Sequence, residues 1–276
     1  MAAQAALAAG RKPLLMGVVN ITPDSFSDGG VWLKPEDAAS HIEQLIADGA
    51  DLVDLGAEST RPGAKSIDTD EEWSRLEPVL NRISRKSLSV GLSIDTRKPE
   101  IMLRAADYGA TWFNDVAGHA DRSHLKRILS YPGSNYIAMH MPMNPDIMQK
   151  HPLSPKSAVA SVDAFFNSRW DEASAAGFPA ERIWLDPGIG FGKTDAANVQ
   201  LMDQVARWSK RYQIMMGVSR KSLLGRTLGI ENPKDRDAPS KMLEFGLILL
   251  GAKLIRTHNV APLRRLVSLL TEDTND

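Results

Sequence analysis

Cysteine is absent from the 276 residues, which excludes disulfides, thiolate nucleophiles and thiolate metal sites and fits a reducing cytosol, so a cytoplasmic protein is expected. Neither sign of charge is in excess. Thirty-three Lys and Arg stand against 34 Asp and Glu, with no basic block, so nucleic acid is not expected as a partner. No apolar run reaches the roughly 18 residues that a membrane span needs, and no membrane partner is expected. The opening "MAAQAALAAGRK" has neither a positive n-region nor a strong apolar centre. It is read as a flexible tail over 1–12, not as a signal peptide. Repeats, linkers and low-complexity stretches are also missing. With 43% hydrophobic residues, 13–276 are expected to bury one large core as a single domain.

What the chain does have is alternation. Short apolar runs, read as strands, are Leu14–Val19, Leu52–Gly56, Val90–Asp95, Thr111–Asp115, Tyr136–Met139, Ile183–Asp186, Ile214–Ser219 and Leu254–His258. Between and after them lie amphipathic stretches: Pro35–Asp48, Asp70–Arg85, Pro99–Tyr108, Arg122–Ser130, Pro155–Ala176, Ala196–Lys210, Ala238–Leu250 and Ala261–Thr271. Eight strands alternating with eight helices is the count of an α/β protein of the (β/α)8 TIM barrel class; an open doubly wound sheet is the competing architecture.

Barrel enzymes place their chemistry at the C-terminal strand ends. Those ends carry Asn20, Glu58 with Thr60 and Arg61, Asp95, Asn114 with Asp115, Met139 with His140, Asp186, the run Ser219–Arg220–Lys221–Ser222, and Arg256 with His258. The opposite ends are blander. The long polar loop after Asn20 is read as a lid over this ring. Asp95, Asn114 and Asp186 come from three strands and could together face a flat heterocycle with an amidine-like edge, or form a polar plug that only stabilises the barrel. Arg256 and His258 are two apart on a strand and share a face. With Arg61, Arg220 and Lys221 they suggest an anion site for phosphate groups; surface salt bridges are the plainer reading. "DPGIGFGKT" is not a phosphate loop, because Pro187 stands where the first glycine is needed. Nor is it a dinucleotide fingerprint, because position 193 is Lys. Its glycines would serve a close backbone approach or a tight turn. His41, His119, His124 and His151 have no partners at ligand spacing and read as solvated.

The motifs "GVVNITPDSFSDGG", "DLGAESTRPGA", "LSIDTRKPE", "FNDVAG", "DPGIGFGKT", "GVSRKSLLG" and "LIRTHNV", in that order over nearly the whole chain, resemble those of the dihydropteroate synthase family. The resemblance implies condensation of 6-hydroxymethyl-7,8-dihydropterin diphosphate with p-aminobenzoate, giving 7,8-dihydropteroate and diphosphate. It implies a pterin site of Asp95, Asn114, Val116, Met139, Asp186, Phe191 and Lys221, and a diphosphate site of Asn20, Thr60, Arg61, Arg256 and His258. The p-aminobenzoate site would be Phe26, Thr60, Pro62, Lys221 and Ser222. Asp95, Asp186, Lys221, Arg256 and His258 would carry catalysis, and Asn20 would help to seat Mg2+. Sulfonamide inhibition and a homodimer are implied as well. Three positions depart from the family pattern: Asn259 where Asp is usual, Arg97 where a small polar residue is common, and the stretch "HMPMNPDIMQ". A methyl-pterin-dependent methyltransferase, a non-catalytic pterin-binding paralogue and a phosphosugar barrel enzyme are the alternatives. The first should not need Arg256 and His258.

Overall fold

The computed structural model describes residues 12–22, 34–59, 64–84, 88–118, 120–143 and 147–270. Eight parallel strands close in sequence order: β1 Leu14–Asn20, β2 Leu52–Gly56, β3 Gly91–Thr96, β4 Trp112–Asp115, β5 Asn135–Met139, β6 Ile183–Asp186, β7 Gln213–Met216 and β8 Leu254–Thr257. Pairing of Leu14 with Leu254 seals the ring, so every strand has two neighbours and no edge is left open. Around it run α1 Pro35–Ala47, α2 Thr69–Ser84, α3 Pro99–Ala106, α4 Arg122–Leu129, α5 Pro155–Ala176, α6 Asp195–Asp203, α7 Val205–Trp208, α8 Ser222–Leu228, α9 Asp237–Leu249 and α10 Val260–Leu269. The expected (β/α)8 barrel is the observed one.

Local chemistry sets the helix ends. Pro35, Pro99 and Pro155 open their helices in a first turn that has no use for their missing N–H. Asp121 caps α4 by accepting from the Ser123 and His124 amides, and Thr194 caps α6 through the Ala197 amide. Two expectations need correction. The stretch Ala196–Lys210 is two helices, because the Gln204 amide bonds back to Leu201, one residue short of α-helical spacing. The stretch Ile214–Ser219 stops as a strand at Met216. Its last pairing is Met216 with Ile255, and the chain then enters a turn in which Lys221 donates to the Val218 carbonyl. That turn leads into α8, which the apolar pattern did not reveal.

Side chains two apart on a strand share a face, so each strand feeds both the barrel interior and the helix-facing core. Leu15, Val53, Leu55, Ile94, Phe113, Tyr136, Leu185, Ile214 and Ile255 belong to the core beneath the helices. Met16, Leu52, Trp112, Ile137, Trp184, Met215 and Leu254 form a separate apolar plug inside the barrel. Trp112 and Trp184 meet there with ring centroids 5.2 Å apart. Adding two to the plug positions gives the next layer up: Val18, Asp54, Asn114, Met139, Asp186, Gly217 and Arg256. The plug is thus a dry base on which a mostly polar layer rests. Trp112→Ala should cost about 3–5 kcal/mol of stability, because a cavity opens under that layer. A chemical-denaturation midpoint unchanged from wild type would contradict the plug's role.

Candidate active site

The polar layer is organised by a charge inside the apolar run of β2. Asp54 is fully buried, and its Oδ1 accepts from the Ser93 hydroxyl at 2.6 Å. Its Oδ2 accepts from Asn114 Nδ2 at 3.1 Å and from Arg256 Nε at 2.6 Å. Arg256 also donates through Nη2 to Asp95 Oδ2 at 2.6 Å. One guanidinium therefore lies between two carboxylates from β2 and β3. The sequence reading did not name Asp54, yet a carboxylate two residues beyond Leu52 in a strand buried throughout needs a cation nearby.

This arrangement leaves two acceptors without partners. Asp95 Oδ1 and Asn114 Oδ1 are buried and receive no hydrogen bond among the described residues. Asn114 places one of its two amide N–H donors on Asp54, and its carbonyl oxygen is the acceptor left over. Asp95 and Asn114 are paired neighbours on β3 and β4, so the free acceptors are adjacent. Asp186 on β6 accepts from the Gly188 amide at 2.7 Å. Burial raises the pKa of Asp186, with Lys221 as the main opposing charge. Burial likewise pushes Asp95 up to about 7, against the pull of Arg256 and with help from the neighbouring Asp54. A ligand bringing a row of N–H donors would satisfy both orphans and lower the cost of these buried charges.

Beside this floor is an apolar wall. Val116, Met139, Ala117, Met141 and Met148 form one buried cluster with Phe191 packed against it. The Lys221 ammonium lies 4.7 Å from the centre of the Phe191 ring and donates to the Ile189 carbonyl. Burial lowers the Lys221 pKa to about 8, while Asp186 holds it up. Thus Val116, Met139, Phe191 and Lys221 meet as the sequence reading expected. The glycines of "DPGIGFGKT" serve the protein's own packing. A Cβ on Gly188, at φ +65°, would stand 2.1 Å from the His140 carbonyl oxygen. Lys193, which the sequence reading passed over, is buried beneath this loop. Its ammonium donates to the carbonyls of His140, Gly188 and Phe191 at 2.9–3.1 Å and so ties β5 to the β6 exit.

The expected cationic cluster is smaller than the sequence suggested. Arg220 turns away: its Nε and Nη2 take both oxygens of Asp237, at 2.6 and 2.7 Å. Arg220 itself sits at φ 57°, a left-handed conformation that costs free energy in a non-glycine residue. The Ser240 hydroxyl accepting its amide and Arg236 donating to its carbonyl hold the turn that aims Lys221 inward. Arg256 spends two of its five N–H donors on Asp54 and Asp95, leaving three on an edge that is part-exposed. His258 is held neutral. Burial, then the positive charges of Arg220, Arg256 and Lys241, lower its pKa to about 3.

Other strand-end groups do not enter the floor. Asp115 is a loop anchor, accepting from the Ala117, Gly118 and Ala120 amides and from the Tyr136 hydroxyl. His140 Nε2 bonds the Ser161 hydroxyl on α5 at 2.9 Å. Glu58 binds Arg97 and Lys98 and accepts from the Ile67 amide at 3.1 Å. Arg97 also donates to Ser66 at 3.0 Å, so this departure from the family pattern anchors the loop beyond β2. Asn259 donates to Asp237 at 3.4 Å, joining the carboxylate that holds Arg220. Asn20 ends β1, and Ser222 is the exposed first residue of α8. Phe26, Thr60, Arg61, Pro62 and His119, and all but the last residue of the tail expected over 1–12, lie outside the described residues. No group of three or more His, Asp or Glu able to hold a metal occurs among the described residues. The amide oxygen of Asn20 is a hard donor, and it suits Mg2+ as a ligand only if phosphate oxygens and water supply the rest.

Paired acceptors, the Asp186 carboxylate, an apolar wall and a cationic edge at the C-terminal mouth of a barrel suit a flat, donor-edged heterocycle that carries an anionic arm. The profile of the pterin binding enzyme family matches residues 16–258. A dihydropteroate synthase of Neisseria meningitidis serogroup C is 39% identical over 253 residues, covering 90% of this chain and 88% of that one. A Yersinia pestis dihydropteroate synthase solved in a sulfonamide drug complex superposes with TM-score 0.86 at 32% identity over 94% of both chains. One from Xanthomonas albilineans solved with 4-aminobenzoic acid gives TM-score 0.85 at 36% identity over 97% of both. The chain belongs to the dihydropteroate synthase family of pterin-binding enzymes.

Removing Asp54 should disturb more than one residue. Asp54→Ala leaves Ser93 and Asn114 without their partner and Arg256 with one carboxylate. It should destabilise by about 3–5 kcal/mol, since it breaks a buried ion pair from one side. A loss below 1 kcal/mol in chemical denaturation would show that Arg256 and the floor do not depend on Asp54.

Proposed function

We infer that this chain condenses 6-hydroxymethyl-7,8-dihydropterin diphosphate with p-aminobenzoate, releasing diphosphate and forming 7,8-dihydropteroate in folate biosynthesis. The observation that carries the reading is the pair of buried, unpartnered acceptors, Asp95 Oδ1 and Asn114 Oδ1. The amino group and ring N–H of a pterin are neighbouring donors in one plane, and Asp95 and Asn114 are paired residues of adjacent strands. Asp186 and Lys221 would hold further polar atoms of the ring, and Val116, Met139 and Phe191 its faces.

The chemistry then follows from charge. The C–O bond to diphosphate breaks with its electron pair going to the leaving oxygen, and positive charge develops on the pterin methylene carbon. Asp95 and Asp186 stabilise that charge from the ring side. The outer edge of Arg256, with His258, receives the departing anion. The arylamine lone pair forms the C–N bond, and its proton is lost to solvent or diphosphate. A neutral aniline nitrogen is nucleophilic enough that no strong base is required. Asn20 would hold Mg2+ together with the diphosphate, and the ion when bound neutralises charge on the leaving group. Phe26, Thr60, Arg61, Pro62 and Ser222 belong to the p-aminobenzoate and diphosphate side of the reading, and sulfonamides would compete there. Cytoplasmic placement and a homodimer complete it. Met242 on α9 and Leu228 on α8 are exposed apolar side chains that a second copy could cover.

Incubation with both substrates should give dihydropteroate and diphosphate in equal amounts, with turnover falling when Mg2+ is chelated. Pterin binding without turnover would sink the enzymatic reading. Pterin affinity should depend on pH. The N–H edge favours ionised Asp95, so binding lowers a pKa that starts at about 7 and releases a proton. Affinity should therefore rise from about pH 5 to about pH 7 and level off above. Asp186, also raised by burial, adds in the same sense. Asp95→Asn should weaken binding and flatten most of that rise. Calorimetry showing no proton release near pH 6 would contradict the assignment.

A further inference from the structure

Four buried polar side chains lie behind the β7 and β8 exits, and the reaction above uses none of them: Ser219, Thr257, and Lys241 and Glu244 on α9. Their protons can be accounted for one by one. Lys241 Nζ donates to Glu244 Oε2 at 2.7 Å and also to Thr257 Oγ1. Thr257, having accepted there, places its own proton on Glu244 Oε2 at 3.1 Å. Ser219 Oγ accepts from the His258 backbone amide at 3.2 Å. Of the hydroxyl protons one is left, that of Ser219. It has His258 Nδ1 at 3.0 Å and the already occupied Thr257 Oγ1 at 3.5 Å. Glu244 is the rival acceptor for that proton, since the Ser219 hydroxyl is the last and smallest of the groups that hold its charge, but Glu244 Oε1 has no hydrogen-bond partner within reach among the described residues.

We propose that Ser219 sets the tautomer of His258, donating to Nδ1 so that the neutral ring carries its single N–H on Nε2. The proposal rests on the reading of His258 as a ligand of the departing diphosphate, and it says how a neutral imidazole can serve there. Nε2 makes no hydrogen bond among the described residues, and His258 is a partly exposed residue. An Nε2–H donates to phosphate oxygen, whereas the opposite tautomer would present a lone pair to the anion. The buried Lys241–Glu244 pair has two effects. It takes up the Thr257 proton, which removes the competing donor to Ser219, and its ammonium discourages a second positive charge on the ring. Ser219 is thus a positioning residue that acts through His258.

The test is the long-range proton–nitrogen spectrum of histidine-labelled protein without ligand, beside calorimetry with inorganic diphosphate and with 6-hydroxymethylpterin. Wild type should show His258 as the Nε2–H tautomer. Ser219→Ala should lose that preference and bind diphosphate about tenfold more weakly, one hydrogen bond's worth. Its affinity for 6-hydroxymethylpterin should be unchanged, and Ser219→Thr should restore both tautomer and affinity. A wild-type Nδ1–H tautomer, or an unaltered ring in Ser219→Ala, overturns the proposal, and the wild-type spectrum decides alone if the variant does not fold. A tautomer that shifts in Ser219→Ala while diphosphate affinity stays constant upholds the proposal and overturns the diphosphate role of His258.

Discussion

The guanidinium of Arg256 held between Asp54 and Asp95 is the interaction on which the rest of the site depends. Two carboxylates and a guanidinium in a barrel interior are costly to bury one at a time. Placed together they satisfy one another and fix the rotamers of three strands at once. Asp54 uses its remaining capacity to hold Ser93 and the amide nitrogen of Asn114, whose carbonyl oxygen is left without a partner among the described residues. The two free acceptors are therefore by-products of an ion-pair geometry that needs no ligand. Under the proposed function, such preorganisation would remove reorganisation cost from both pterin binding and charge development.

The same triad divides the labour of Arg256. Its inner edge is structural and its outer edge is free for an anion. A pterin on Asp95 and a diphosphate on that outer edge would be bridged by one side chain. Lys221 performs a comparable double duty, with Asp186 holding up its pKa and the Phe191 ring beneath its ammonium. Both cations reach the site from strand exits held from behind. The Arg220 turn is clamped by Asp237, Ser240 and Arg236, and the β6 loop is pinned by Lys193 to three carbonyls.

The barrel and the floor were legible because both follow from periodicity: alternation gives the strands, and polar residues at their C-terminal ends give Asp95, Asn114, Asp186 and Arg256. What escaped was what a strand end alone does not reveal. Asp54 lies inside an apolar run, and only its two-residue phase with Leu52 places it in the cavity layer. Arg220 looked like part of an anion site because sequence adjacency to Lys221 does not show the left-handed turn that sends the two side chains opposite ways. Asp115 and His140 sat at the expected depth but on the outer face, one residue out of phase, where loop amides and α5 claim them. Short α8 was hidden because a two-turn helix offers too few positions for a period to show.

The most direct measurement is a crystal structure with 6-hydroxymethylpterin bound and no diphosphate. The account requires the N–H edge of the pterin on Asp95 Oδ1 and Asn114 Oδ1, with Arg256 still bridging Asp54 and Asp95 and its outer edge open. A pterin seated elsewhere, or an Arg256 that leaves either carboxylate to make room for it, would contradict the claim that the ion triad preforms the site.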